Sequence, residues 1–182
     1  SLPKYSRTFA MPNGCTFSIP QIEGFISRHT AGADVIVDPF ARNSRVGTIT
    51  NDLNPSTNAD YNMAAIDFLG MLVNDGIRAD VVLYDPPYSP RQVQECYQGI
   101  GREVTQQDTQ ASFYSETKRL IKALVKPNGI VLSFGWNSMG LGRYFQHLEI
   151  MLVFHGGAHN DTICVAQQAP TSLFDDCTNG GD

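Results

Sequence analysis

The feature that most constrains the fold is the apolar run 81–84, which is followed by Asp85, Pro86, Pro87 and Tyr88. A short apolar run bounded by turn-forming residues is typical of a buried strand. Because Pro86 and Pro87 lack backbone N–H groups and have a fixed φ, the strand is predicted to end before them. Ligands of open α/β sheets bind at the carboxyl ends of the strands, so we expect Asp85 and Tyr88 to face a ligand.

This arrangement suits attack by an amino group that is conjugated to an aromatic ring. Such a nitrogen is a weak nucleophile because its lone pair is delocalised, and two acceptors for its N–H groups draw it towards a tetrahedral, reactive geometry. Asp85 supplies a carboxylate and Pro86 a backbone carbonyl, while Tyr88 offers a flat face on which a base can stack. The candidate catalytic residues are therefore Asp85, Pro86, Pro87 and Tyr88. The alternative interpretation is a strand that ends in an ordinary turn.

The sequence Asp-Pro-Pro-Tyr at 85–88 resembles the catalytic motif of S-adenosylmethionine-dependent, adenine-specific (amino) DNA methyltransferases, of a compact phage or mobile-element type. Upstream, 38–44 resembles the cofactor loop of that family, Asp-Pro-Phe-x-Gly-x-Gly, with Arg42 and Ser44 in place of the two glycines. Glycine lets the backbone pass close to the cofactor with a positive φ, and here Asn43 is the residue best suited to left-handed geometry.

The resemblance extends over about residues 15–168. It implies a Rossmann-like class I methyltransferase fold without a separate target-recognition domain. The length of the chain fits one domain, 1–182, and the composition of 169–182 predicts an acidic polar tail. The alternation of strands and helices by itself predicts an α/β sheet with mostly parallel strands and a C-terminal antiparallel hairpin. The resemblance implies seven strands in the order 3-2-1-4-5-7-6. The predicted strands are 35–37, 46–50, 61–63, 81–84, 130–134, 149–154 and 162–166, and the predicted helices are 21–29, 66–73 and 115–125.

The composition narrows the class of protein further. No apolar run approaches the roughly 20 residues that span a bilayer, so we expect a cytoplasmic protein without a membrane partner. The four cysteines form no Cys-x-x-Cys pair and are expected to be reduced thiols. His155 and His159 flank a predicted hairpin turn and are weak evidence for a metal, so we expect none.

The implied cofactor, S-adenosylmethionine, is expected at the carboxyl ends of the first strands. Asp38 ends the first strand, and Asp52 follows the second, where its carboxylate either accepts the ribose hydroxyls or forms a turn. Asp67 either binds the adenine amine or favours the helix N-terminus electrostatically, and Phe17 packs either on the cofactor or in the core. The implied cofactor-binding residues are Phe17, Asp38, Pro39, Phe40, Ala41, Asp52, Leu53, Ala64, Ala65, Asp67 and Asp85.

A nucleic-acid surface is expected beside the catalytic motif. The net charge of −5 opposes nucleic-acid binding, but segment 89–126 is mildly basic. Within it, 89–115 is polar and is predicted to be a long active-site loop with a helical piece around 93–97. Arg91 and Arg102 are candidates for phosphate contacts, although Arg91 could equally be a solvated loop residue. Trp136 either belongs to the core or forms a stacking face in the wall of the base pocket.

Three functions remain open at this point. The first is methylation of the exocyclic amine of adenine in DNA, and the second is methylation of adenosine in RNA by the same site. The third is a cofactor-binding or partner-binding module that has lost catalysis, which the degenerate loop favours. Because no target-recognition domain is implied, a specificity partner or a homo-oligomer is also open.

Overall fold

A computed structural model describes residues 1–89, 91, 93–94, 106–157 and 159–172, with the side chains of 106–109 excepted. The strands are β1 (Lys4–Phe9), β2 (Ile36–Asp38), β3 (Ile49–Thr50), β4 (Ala79–Tyr84), β5 (Val125–Gly135), β6 (Gln146–Phe154) and β7 (Thr162–Gln168). The helices are a 3-10 turn (Thr16–Ser18), α1 (Pro20–Thr30), α2 (Ala65–Asn74) and α3 (Gln106–Leu124). None of these helices is long and apolar enough to cross a membrane.

The seven strands form one sheet in the order β1-β6-β7-β5-β4-β2-β3. Strand β7 runs antiparallel to both β5 and β6, and every other described pairing is parallel. The predicted mostly parallel α/β sheet with a closing antiparallel hairpin is therefore confirmed. Because β2, β4 and β5 are parallel neighbours, their carboxyl ends meet at one edge, and residues 85–88 follow β4 at that edge.

The two ends of the sheet differ from the prediction. The expected third strand, 61–63, is reduced to a single parallel bridge between Asn51 and Tyr61. The seventh strand is instead β1, which pairs with β6 at the opposite edge. Five of the six residues of β1 are exposed, so the segment lacks the buried alternate positions by which a strand is recognised from sequence.

Helix α3 corrects the prediction of a loop over 89–115, because residues 106–115 are helical. Phe113, Leu120 and Leu124 are buried at helical spacing, and Gln110 is half-buried in the preceding turn. A polar first half of a surface helix has the composition of a loop, which explains the error. The predicted helical piece around 93–97 lies largely outside the described residues.

The core lies on both faces of the sheet. Successive residues of β4 point to opposite faces, as a pleated strand requires. Val82 and Tyr84 pack with α2 and α3, whereas Val81 and Leu83 pack with α1 through residues such as Phe25. The resulting three layers hold the carboxyl end of β4 between helices on both sides.

Candidate active site

Asp85 lies directly after β4 and is half-buried at the edge of the sheet. Burial raises the pKa of its carboxyl group to about 6, against the positive charge of Arg42 and a hydrogen bond from the Thr16 hydroxyl, which both lower it. The side chain is therefore mostly ionised at neutral pH in the free protein. A charged acceptor at this place is what the predicted chemistry of an aromatic amine requires.

Two cavities lie on either side of the catalytic motif. The larger, of about 490 Å³, is lined by Asp85 and by residues that precede β2 or follow it. The smaller, of about 210 Å³, is lined by Pro86, Tyr88 and residues of α3 and β5. The four-residue motif therefore contributes side chains to both. The lining of the larger cavity comprises Cys15, Thr16, Phe17, Ser18, Glu23, Phe40, Ala41, Arg42, Asn43, Ser44, Val46 and Asp85.

Tyr88 lines the smaller cavity next to two other aromatic rings. Its ring centroid lies 5.2 Å from that of Trp136, at an interplanar angle of 31°, and 6.5 Å from that of Tyr114, at 29°. Burial raises the pKa of the Tyr88 phenol, and the Asp85 charge raises it further, so the hydroxyl stays neutral. Trp136 is 57% exposed, which places an open indole face at the mouth of this cavity.

Gly135, at the end of β5, leaves the space that the ring of Tyr88 occupies. A Cβ atom at this glycine would lie 2.6 Å from Tyr88 Oη and 2.9 Å from Tyr88 Cζ. The phenol ring thus packs directly on the backbone of β5, where any larger residue would displace it. The only sequence signal near this contact is the Ser-Phe-Gly-Trp sequence at the end of β5.

Helix α3 holds the backbone of the motif through two hydrogen bonds. Tyr114 Oη donates to the carbonyl oxygen of Pro87 at 2.7 Å, and Gln110 Nε2 donates to that of Tyr88 at 3.1 Å. Neither partner was expected from the sequence, because residues 106–115 were predicted as a loop. Since proline restricts the chain before and after it, two further anchors leave the motif little freedom.

The smaller cavity also contains polar groups that the sequence did not single out. Lys118 of α3 is half-buried there, and burial lowers its pKa, as does the charge of Lys122. The hydroxyl of Ser133 is buried and has no hydrogen-bond partner among the described residues. An aromatic cavity with a few unsatisfied or cationic groups is suited to a flat polar ligand.

The loop after β2 keeps the backbone shape that glycine would give it. Arg42 has φ 53°, a left-handed conformation at the position of the first missing glycine, so the residue in this conformation is not Asn43. Its backbone N–H donates to Asp52 Oδ2 at 2.8 Å, and its guanidinium donates to the carbonyl oxygen of Gly14 at 2.6 Å. Arg42 therefore ties the loop to the end of β3 and to the segment before the 3-10 turn.

Asp38 is fully buried at the end of β2. Its Oδ1 accepts the backbone N–H of Phe40 at 3.2 Å, and its Oδ2 has no hydrogen-bond partner among the described residues. Burial raises the pKa of its carboxyl group to about 8; the Phe40 hydrogen bond opposes this, and the charges of Asp85 and Asp52 add to it. In the free protein Asp38 is consequently protonated at neutral pH.

The structure divides the cofactor residues implied by the resemblance into two sets. Phe17, Phe40, Ala41 and Asp85 line the larger cavity, with Phe17 also packed on Phe134. The others lie outside that lining, and a cofactor contact by them stays a prediction. This second set comprises Asp38, Pro39, Asp52, Leu53, Ala64, Ala65 and Asp67.

Local structure accounts for several members of this second set. Both carboxylate oxygens of Asp52 accept backbone N–H groups, from Arg42 and from Asn54. Ala64 precedes α2 as its N-cap, and Asp67 is exposed in the first turn of that helix, where a negative charge is favourable.

The predicted nucleic-acid contacts are only partly described. Trp136 lies at the smaller cavity, next to Tyr88, and Arg91 is exposed. Arg102 lies outside the described residues. His155 is buried, with its ring nitrogens 3.0 Å from the Ala10 carbonyl oxygen and 2.9 Å from Thr162 Oγ1. Its role is therefore to join β1 to the hairpin.

Solved methyltransferases share the architecture of this chain. A provisionally assigned SAM-dependent methyltransferase from Streptococcus mutans matches with a TM-score of 0.55 at 11% identity, over 82% of this chain and 48% of its own. The fold is a class I methyltransferase fold. TrmN from Thermus thermophilus matches with a TM-score of 0.54 at 15% identity, over 83% and 49%. SMU.776, a provisionally assigned methyltransferase complexed with SAH, matches with a TM-score of 0.52 at 11% identity, over 82% and 48%.

The chain thus spans about half the length of these three proteins. At such identities the likeness concerns the fold alone. No protein-family model and no curated protein matches the sequence.

Proposed function

We propose that this protein is an S-adenosylmethionine-dependent methyltransferase that acts on the exocyclic amine of adenine in DNA. The observation that supports this most directly is the position of 85–88 between the two cavities. Asp85 lines the larger one, and Pro86 and Tyr88 line the smaller one. A donor in one cavity and an acceptor in the other would meet at the motif.

The larger cavity fits the cofactor in chemistry. Its lining combines the aromatic rings of Phe17 and Phe40 with the carboxylates of Glu23 and Asp85, a setting that favours a cationic ligand with an apolar part. When bound, the cofactor supplies an electrophilic methyl group on a sulfonium. The residues of this chain that would hold it include the loop 40–44, which follows β2.

The smaller cavity fits a flipped base. Tyr88 and Trp136 present aromatic faces for stacking, and the carboxylate of Asp85 accepts an N–H of the target amine. The carbonyl of Pro86 is the second acceptor, as the order of the motif requires. Together these groups hold the nitrogen lone pair out of conjugation and turn it towards the larger cavity.

The test is transfer of a labelled methyl group from S-adenosylmethionine to duplex DNA, single-stranded DNA and RNA, followed by nucleoside analysis. We expect N6-methyladenine from a DNA substrate, with loss of the product in Asp85→Ala. Asp75→Asn is a matched control, because it removes an exposed carboxylate at the end of α2. Methylation of adenosine in RNA alone would show that the substrate is RNA and not DNA. The absence of transfer to any of the three substrates would contradict the proposal.

The conformation of Arg42 is the observation that favours the alternative of a module without catalysis. An arginine occupies the loop position where the family has glycine, and it lines the cofactor cavity. Calorimetry with S-adenosylmethionine, combined with the transfer assay, distinguishes an active methyltransferase from a binding module. A protein that binds S-adenosylmethionine but transfers no methyl group to any of the three substrates is a binding module.

A further inference from the structure

Arg42 combines a strained backbone with a place in the larger cavity. Its φ of 53° belongs to the left-handed region, which is unfavourable for a residue with a Cβ atom. Glycine would adopt the same shape without strain. Strained residues that persist in a fold cluster at ligand sites, where the side chain has a use that glycine cannot supply.

The contact with Gly14 orients the guanidinium group of Arg42 but does not use all of its N–H donors. Nη1 donates to the carbonyl oxygen of Gly14 at 2.6 Å, and the backbone N–H donates to Asp52. A guanidinium has five N–H donors in a fixed planar fork, which matches the geometry of a carboxylate. Since Arg42 is exposed and lines the cavity, an incoming ligand can reach it.

The charges of the cavity are those expected for an amino-acid ligand. Among the described residues of the lining, Arg42 is the one cation, and Glu23 and Asp85 are the two acids. The methionine part of S-adenosylmethionine carries one carboxylate and two positive groups, an ammonium and a sulfonium. The signs and numbers of charges are therefore complementary.

We propose that Arg42 binds the α-carboxylate of the cofactor and makes the larger cavity selective for adenosine derivatives that carry an amino-acid tail. This inference rests on the proposed function, because it takes the occupant of the cavity to be the cofactor. It assigns to the loop a side-chain contact at a position where the related motif has no side chain.

The test compares two probes by isothermal titration calorimetry. S-adenosylhomocysteine carries the amino-acid tail, and 5′-methylthioadenosine has the same nucleoside and thioether without it. We expect Arg42→Gly to weaken the binding of S-adenosylhomocysteine by roughly tenfold. This is the lower end of the range for the loss of a charge-assisted hydrogen bond, and we choose it because the side chain is exposed. Binding of 5′-methylthioadenosine should stay within twofold of wild type.

Two further variants separate recognition from loop structure. Glycine accepts φ 53° without strain, so Arg42→Gly should retain the loop, and a melting curve checks that it does. Arg42→Lys keeps the charge but loses the planar fork, and it should fall between wild type and Arg42→Gly. Arg45→Gln is the matched control, because Arg45 pairs with Asp60 outside the cavity lining and should leave both affinities unchanged.

The outcomes distinguish failure of the inference from failure of the proposed function. The inference fails, and the proposed function stands, in two cases in which wild type binds S-adenosylhomocysteine. In the first, Arg42→Gly binds S-adenosylhomocysteine as tightly as wild type; in the second, Arg42→Gly loses affinity for both probes to the same extent. If wild type binds neither probe nor S-adenosylmethionine, the cofactor assignment is wrong and the inference fails with it.

Discussion

The ionisation of Asp85 gives the most direct test of the proposed mechanism. The carboxyl group is a much stronger acceptor when it is charged than when it is protonated, and burial has raised its pKa from 3.8 to about 6. At pH 7 about 90% of the sites are then ionised, and at pH 5 only about 10%. The rate of methyl transfer should therefore be nearly constant above pH 7 and fall about fivefold between pH 6 and pH 5.

The groups around Asp85 set the direction of this pH dependence. The charge of Arg42 and the hydroxyl of Thr16 favour the ionised form, whereas burial favours the neutral form. Asp38 interacts unfavourably with it, but Asp38 has a pKa of about 8 and is neutral over the lower part of the range. The acid limb of the profile should thus report on Asp85, with activity lost as pH falls through about 6.

The assay is single-turnover transfer of labelled methyl groups between pH 5 and pH 8, with the cofactor saturating and a substrate that wild type accepts. Asp85→Asn keeps the shape without the charge and should lose about 2.7–4 kcal/mol of transition-state stabilisation, a hundredfold or more in rate. Its residual activity should no longer depend on pH in this range. A flat wild-type profile down to pH 5, or an Asp85→Ala rate within a few-fold of wild type, would refute the reasoning.

Three further predictions concern the surroundings of Asp85. Tyr88→Ala should cost roughly 1–3 kcal/mol of stacking in base binding, which titration with a short oligonucleotide measures, whereas Tyr88→Phe should retain most activity in single-turnover methyl transfer. Gly135→Ala would place a Cβ atom 2.6 Å from Tyr88 Oη, so it should slow methyl transfer without changing calorimetric cofactor affinity. Asp38 holds a proton up to about pH 8 when folded but only to 3.8 when unfolded, so its contribution to wild-type stability should fall by about 1.4 kcal/mol per pH unit, a slope read between pH 6 and pH 8, above the range in which Asp85 also titrates. Urea unfolding of Asp38→Asn should lack this slope, and an identical slope in both proteins would exclude Asp38 as its source.

The parts of the fold that could be predicted are those whose sequence carries a local signal. Strands β2, β4 and β5 are apolar and end at turn-forming residues, and their parallel order follows from the intervening helices. Strand β1 was missed because its side chains are mostly exposed, and its position beside β6 depends on a pairing with residues 145 positions away in sequence. Local patterns hold no information about such a partner.

The sequence carries a signal for the proposed centre of the candidate site and none for its margins. The motif 85–88 was singled out by residue type and order, and its residues line both cavities. Thr16, Gln110 and Tyr114 reach the motif only through tertiary packing, so no spacing in the sequence indicates them. Arg42 was visible as a departure from the family pattern, but its left-handed backbone and its contact with Gly14 required the structure.

The motif 85–88 is held from the sides of both cavities. On the side of the larger cavity, the Thr16 hydroxyl holds the Asp85 carboxylate. On the side of the smaller cavity, Tyr114 holds the Pro87 carbonyl. The Pro86 carbonyl lies between these two contacts along the chain. In the proposed mechanism Asp85 and Pro86 are the two acceptors of the target amine, so a shift of either contact would move one acceptor relative to the other and weaken the geometry that makes the nitrogen reactive. The proposal thus assigns the chemical groups to the motif and the distance between them to the segments that hold it on both sides.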